Sequence, residues 1–181
     1  HAYHMRWQIW TAFLNGAAGY GYGADGIWQF YDPSDPRGET GKKVKNVRPW
    51  REAIVLPGSA QLVHAKKFLS SIQWWKLEPQ RDRMRVDGVP SPQPTLTNIT
   101  PPHVAFRGES TVVAYIPRGN AGRELVLTTP SRSSHVARWF DPRTGQFVGE
   151  SVMMSSAAQW VLPAPPAPAK EDWVVLVSKS R

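Results

Sequence analysis

The chain has no cysteine among its 181 residues. Disulfides, thiol nucleophiles and thiolate metal sites are excluded, while the compartment stays open. No run approaches the roughly 18 consecutive apolar residues of a membrane span. No stretch has the shape of a secretory leader, which leaves export undecided. Acidic residues are the scarcer charge, 14 Asp/Glu against 22 Lys/Arg, for a net charge of +8. The excess is spread evenly: residues 1–80 hold 10 Lys/Arg against 6 Asp/Glu, and residues 81–181 hold 12 against 8. There is thus no basic tail. The densest run, "GKKVKNVRPWR", lies on a predicted loop without any nucleic-acid motif beside it, so a solvated basic surface is expected and nucleic acid is not.

Several chemical signatures are also missing. No H-E-x-x-H, calcium-loop or G-x-S-x-G spacing occurs. "GETGKK" resembles a phosphate loop, but Pro36 stands where the first glycine belongs and Lys43 where Ser or Thr should meet magnesium. His1 and His4 share a predicted helix face without a carboxylate beside them, too few groups for a metal site. Asn98-Ile99-Thr100 forms a glycosylation sequon, relevant only in a eukaryotic secretory setting. Gly21, Gly23 and Gly26 spell G-x-G-x-x-G, yet a pyrophosphate loop must open a helix that receives the phosphates. The following "IWQFYDPSDPRGETG" carries two Asp-Pro pairs and predicts no helix. No metal and no cofactor are expected.

What the chain does have is aromatic residues near its start. Six of nine Trp and four of five Tyr precede residue 76, which points to two differently built regions. Tyr3, Trp7, Trp10 and Leu14 recur at helical spacing, predicting a helix over 2–15 that Gly16 ends. "GAAGYGYG" reads as a short strand of small residues with Tyr20 and Tyr22 on one face, its glycines marking close approach of another backbone or a ligand. Residues 32–49 form a loop punctuated by proline and glycine. A second helix is predicted over 59–71, capped by Ser59, with Leu62, Ala65, Leu69 and Ile72 inward. Such a helix–strand–loop–helix unit fits the end of an α/β barrel or a doubly wound sheet and cannot stand alone.

Residues 86–102 hold five prolines and read as a linker or irregular lead-in. Beyond 103 the period changes to two. "HVAFR", "STVVAYIP", "ELVLTT", "HVARWF", "GQFVG", "QWVLP" and "DWVVLVS" are separated by turn residues and predict an antiparallel β-sandwich. Asp141-Pro142-Arg143-Thr144-Gly145 is a compact turn between two of these strands.

The remaining candidate site is the segment from Tyr20 to Tyr31. Tyr20, Tyr22, Trp28, Phe30 and Tyr31, with Asp25 and Gln29 among them, combine flat apolar faces with hydrogen-bonding groups, a combination that suits sugars. The alternative is that these rings pack beneath a barrel rim.

"RWQIWTAFLNGAAGYGYGADGIWQFY" resembles the stretch near the end of the catalytic barrel in the apiosidase-like glycoside hydrolases. "WREAIVLPGSAQLVHAKKFLSSIQWWKLEPQ" is similar to that family's last barrel helix and the segment after it. "RWFDPRTGQFVG" and "DWVVLVSK" resemble the C-terminal β-domain attached to those barrels, labelled a collagen-binding domain of collagenase. The resemblance implies the last units of a (β/α)8 barrel over residues 1–84 and a β-sandwich over 85–181. It implies a secreted or periplasmic enzyme acting on plant-type polysaccharide, with Tyr20, Tyr22, Asp25, Trp28 and Arg6 on the substrate-binding side. Active sites of such barrels lie at the C-terminal ends of the strands. The two carboxylates that a retaining glycosidase needs are expected upstream of His1, so no catalytic residue is assigned and these residues alone are expected to be inactive. For Arg6 the alternative is an ordinary ion pair. Where the family commonly has His-Thr before Tyr-Gly, this chain has Tyr20-Gly21, so any sugar contact of that His is altered. A second functional reading makes the β-domain a binding module for polysaccharide or collagen. It requires exposed aromatics on one sheet face, for which Trp139, Trp160 and Trp173 are the candidates, although their alternating strands predict burial between sheets.

Overall fold

The computed structural model describes residues 2–28, 30–35, 47–92, 95, 97–129 and 131–180. The phosphate-loop-like "GETGKK" and most of the basic run lie outside them, as do His1 and Gln29.

The first helix, α1, runs from Ala2 to Leu14. Its end is a Schellman motif: Gly16 has φ +88°, its N–H donates to Phe13 at 3.1 Å, and the Ala17 N–H donates to Ala12 at 3.0 Å. Ile9, Trp10 and Leu14 are buried on the inward face, together with Arg6.

"GAAGYGYG" is not a strand. Among the described residues none before Glu78 is in a strand. Four glycines in eight residues make an extended ribbon entropically costly, and no described strand lies alongside to repay it. Nor do these glycines admit a neighbour: a Cβ added at Gly19, Gly21 or Gly23 would meet open space. Close approach occurs instead at Gly26, where an added Cβ would collide with the Arg48 carbonyl oxygen. A helical turn also does form after the glycines, contrary to the sequence reading. α2 spans Asp25–Trp28, with the Ile27 and Trp28 N–H groups donating to the Ala24 carbonyl at 2.8 and 2.9 Å. It is a single turn, and no strand precedes it.

α3 covers Trp50–Ala53 and α4 covers Pro57–Ser71. The cap of α4 is Leu56 rather than Ser59. Pro57 occupies the first helical position, where its fixed φ is preorganised and its missing N–H costs nothing.

Among the described residues ten antiparallel strands follow. β1 (Glu78–Pro79), β4 (His103–Arg107), β5 (Thr111–Ile116), β7 (His135–Asp141), β8 (Gln146–Met154) and β10 (Trp173–Lys179) form one sheet in the order β1-β4-β5-β10-β7-β8. β2 (Met84–Val86), β3 (Val89–Pro90), β6 (Leu125–Thr128) and β9 (Gln159–Val161) form a second, ordered β3-β2-β6-β9. Every stretch expected as a strand beyond residue 103 is one. The expected lead-in is already structured at its start: Val86 pairs with Val89 across Asp87-Gly88, whose φ values of +49° and +77° suit a two-residue hairpin turn.

The larger sheet is covered on both faces, which explains why β5 and β10 read as almost unbroken apolar runs. Val112, Ala114, Ile116, Trp173, Val175 and Val177 face the smaller sheet and share a core with Met84, Leu127 and Trp160. The alternate residues Val113, Tyr115 and Val174 face the opposite way. They share a second core with Trp10, Leu14, Phe68 and Leu69 of the helix pair. Trp10 is its centre, fully buried, edge-on to Phe68 and Phe140 and stacked on Tyr115. The two regions told apart by composition therefore share one interior.

Candidate functional site

Beyond Gly16 the chain runs back alongside α1, residues 18–20 lying near both α1 and α4. Tyr20 is tied to that helix: its hydroxyl donates to Gln8 Oε1 at 2.8 Å and lies 4.0 Å from Met5 Sδ. Burial raises the pKa of this hydroxyl, and the neighbouring Tyr22 adds to the effect. Two residues later Tyr22 enters the wall of a cavity of about 430 Å³. Asp25 and Gly26 of α2, Ala2 and Met5 of α1 and Gly58 of α4 line it as well. Gly58 is required there, since an added Cβ would fall 2.8 Å from Met5 Cγ. Asp25 is the only carboxylate among the described lining residues.

The other aromatics of the segment are placed differently. Trp28 is 81% exposed and Phe30 74% exposed, outside the cavity lining. Phe30 has φ +48°, a left-handed conformation uncommon for a bulky side chain. Its ring lies 6.3 Å from that of Trp50, over which the Arg51 guanidinium stacks at 4.4 Å. The segment is pinned at its end by the Trp50 N–H, which donates to the Tyr31 carbonyl at 2.8 Å. Arg51 also pairs with Asp32 at 2.6 Å. Hydrogen bonds from the Ser34 hydroxyl and N–H, and then Arg51, hold the Asp32 carboxyl below its usual range.

Arg6 lies elsewhere. Its Nε donates to Asp172 Oδ2 at 2.8 Å and its Nη2 to Asp172 Oδ1 at 2.5 Å, both partners being buried. Nη1 donates to Gln61 Oε1 of α4 at 2.7 Å, and the Tyr115 hydroxyl donates to Asp172 Oδ2 at 3.1 Å. Burial works against the Arg6 charge, but the hydrogen bonds and charge of Asp172 outweigh it and raise the pKa. Burial, and next the Asp172 charge, push the Tyr115 hydroxyl well up. The structure thus brings Tyr22 and Asp25 together at one cavity, leaves Trp28 on open surface beyond it, and commits Arg6 to the β-region. That ion pair joins residues 166 positions apart, and no local spacing could have announced it.

A second unannounced group is His103, buried at the start of β4. The Asn15 amide donates to its Nδ1 at 3.0 Å, and Arg81 Nη2 lies 3.4 Å from the same atom. With donors on Nδ1 the ring proton resides on Nε2, which is buried without a hydrogen-bond partner among the described residues. Burial, with the Arg81 charge adding, lowers its pKa to about 4. Among the described residues no group of three His, Asp or Glu could hold a metal ion, and no helix is long and apolar enough to cross a membrane. Trp139, Trp160 and Trp173 are all buried, at 4%, 3% and 1% exposure.

Comparison with known proteins follows the same division. Residues 1–76 match the family described as "Apiosidase-like, catalytic domain", and residues 98–178 match that described as "Putative collagen-binding domain of a collagenase". No curated protein gives a significant match. Among solved structures, one titled a glycoside hydrolase aligns over 99% of this chain and 37% of its own, with a TM-score of 0.70 and 19% identity. A glycoside hydrolase family 5 protein from Bacteroides vulgatus ATCC 8482 aligns over 99% and 36%, with a TM-score of 0.69 and 18% identity. At such identities the likeness is one of fold, and the chain spans little more than a third of either protein. Residues 1–76 are thus similar to the apiosidase-like catalytic-domain family, and residues 98–178 to the collagen-binding-domain family.

Proposed function

We propose that the chain is the C-terminal part of an exported glycoside hydrolase acting on plant-type polysaccharide. In this reading α1 to α4 are the remainder of the last one or two units of a (β/α)8 barrel, and the two sheets are the β-sandwich that braces it. Tyr22 and Asp25 line the part of the sugar pocket that this chain contributes, with Trp28 on its approach. The cavity between α1, α2 and α4 carries the proposal, because it pairs an aromatic ring with a hydrogen-bonding carboxylate, as sugar recognition requires. A single carboxylate does not make a retaining glycosidase, which needs two about 5–5.5 Å apart. The catalytic pair is therefore assigned to sequence outside these 181 residues. The binding-module reading of the β-region is left without its three candidate tryptophans, all of them interior.

Calorimetric titration with plant cell-wall oligosaccharides tests the proposal. The expected result is binding without release of reducing sugar, with a Kd near 1 mM, or about −4 kcal/mol, weakened several-fold by Tyr22→Ala. Hydrolysis by the chain itself, or binding untouched by Tyr22→Ala, would overturn it.

A further inference from the structure

We propose that Asp172, at the head of β10, is a positioning residue for the cavity that Ala2 and Met5 of α1 line. The proposal rests on the functional reading of that cavity. Asp172 is fully buried and meets Arg6 through two parallel hydrogen bonds, the fork geometry in which arginine and carboxylate fix each other's orientation. Arg6 uses its third nitrogen to hold Gln61 of α4. One guanidinium therefore ties α1 to the neighbouring helix and to the larger sheet at once.

Its place in the helix gives this grip a direction. At 3.6 residues per turn, neighbouring side chains point about 100° apart. The contact of Arg6 with Asp172 thus sets the rotation at which Met5 faces the cavity and Gln8 faces outward. Met5 and Ala2 line the cavity together with Tyr22 and Asp25. Gln8 accepts the Tyr20 hydroxyl, fixing the approach to Tyr22. Rotation or sliding of α1 would move the wall and the tether together. The apolar contacts around Trp10 hold the helix against the sheet but are non-directional, whereas the bidentate pair specifies one register.

Glu171 lies beside this grip. It stands 3.9 Å from Arg6 and 3.8 Å from Arg143, and pairs with Arg118. The Arg118 guanidinium in turn lies 4.5 Å from the centre of the Tyr3 ring on α1. The β-region thus reaches α1 through Asp172 directly and through Arg118 at the next turn.

Amide exchange on the full chain tests this. Asp172→Asn keeps the shape and removes the charge. It should speed exchange at least tenfold over α1 and residues 20–28, while β2, β6 and β8 change less than threefold. Arg6→Met combined with Asp172→Asn removes the unpaired buried cation that could unfold the single variant, and should still loosen residues 20–28. Uniform acceleration across both sheets would mean a merely structural pair and overturn the proposal, as would unchanged exchange over 20–28 in the double variant. In a parallel titration, wild type binding oligosaccharide and Asp172→Asn binding several-fold more weakly is the expected pattern. If the wild type binds no sugar, the functional reading fails, and the exchange pattern still decides whether Asp172 positions this cavity.

Discussion

Acid should loosen this protein through His103. The ring is 1% exposed, with Asn15 of α1 and Arg81 from the turn before β2 both presenting donors to Nδ1. Protonation would turn that acceptor into a donor facing two donors, one of them cationic. The pKa accordingly falls from 6.5 to about 4, through burial first and the Arg81 charge second. The unfolded chain, with the ordinary value, takes up this proton at higher pH than the folded one. Stability from this site is therefore complete above about pH 6.5, declines as pH falls, and levels off below about pH 4. A difference of about 2.5 units is worth about 3 kcal/mol in all, of which about 2 kcal/mol is lost between pH 7 and pH 4.5. Urea unfolding at those two pH values, for wild type and His103→Asn, isolates the effect because every carboxylate is common to both. The wild type should lose about 2 kcal/mol more than the variant. Parallel losses in the two proteins would refute the assignment of a buried neutral imidazole.

Trp10→Ala should cost about 3–5 kcal/mol by emptying the core between helices and sheet. Because that core is shared, far-ultraviolet and tryptophan signals should follow one urea transition, and a separate earlier helix transition would contradict it. Gly26→Ala should distort α2 against the Arg48 carbonyl and cost about 1–3 kcal/mol, read as a lowered urea midpoint. Trp28→Ala, at an exposed site, should leave stability within about 0.5 kcal/mol yet weaken oligosaccharide binding, which calorimetry would show.

The strands beyond residue 103 were legible because alternation and turn residues coincide there, and because β5 and β10, buried on both faces, spell continuous apolar runs. Helix α1 was legible from Trp10, Leu14 and Gly16. The ribbon expected at "GAAGYGYG" was not there, since a strand depends on a partner that local sequence does not name. The Asp87-Gly88 hairpin carried a local signal, hidden by the prolines that follow it. Tyr22 and Asp25 could be picked out as an aromatic beside a carboxylate. The partners of Arg6 could not, because Asp172 and Gln61 reach it only once the sheet and α4 lie against α1, and the same holds for Asn15 and His103.

A nitrogen–proton correlation spectrum of the chain, titrated with plant cell-wall oligosaccharide, puts the central claim to its most direct test. Shifts should be confined to residues 20–28 and to Ala2 and Met5, with the indole signals of Trp139, Trp160 and Trp173 unmoved. Shifts confined to residues 84–180, or none at tens of millimolar sugar, would contradict it.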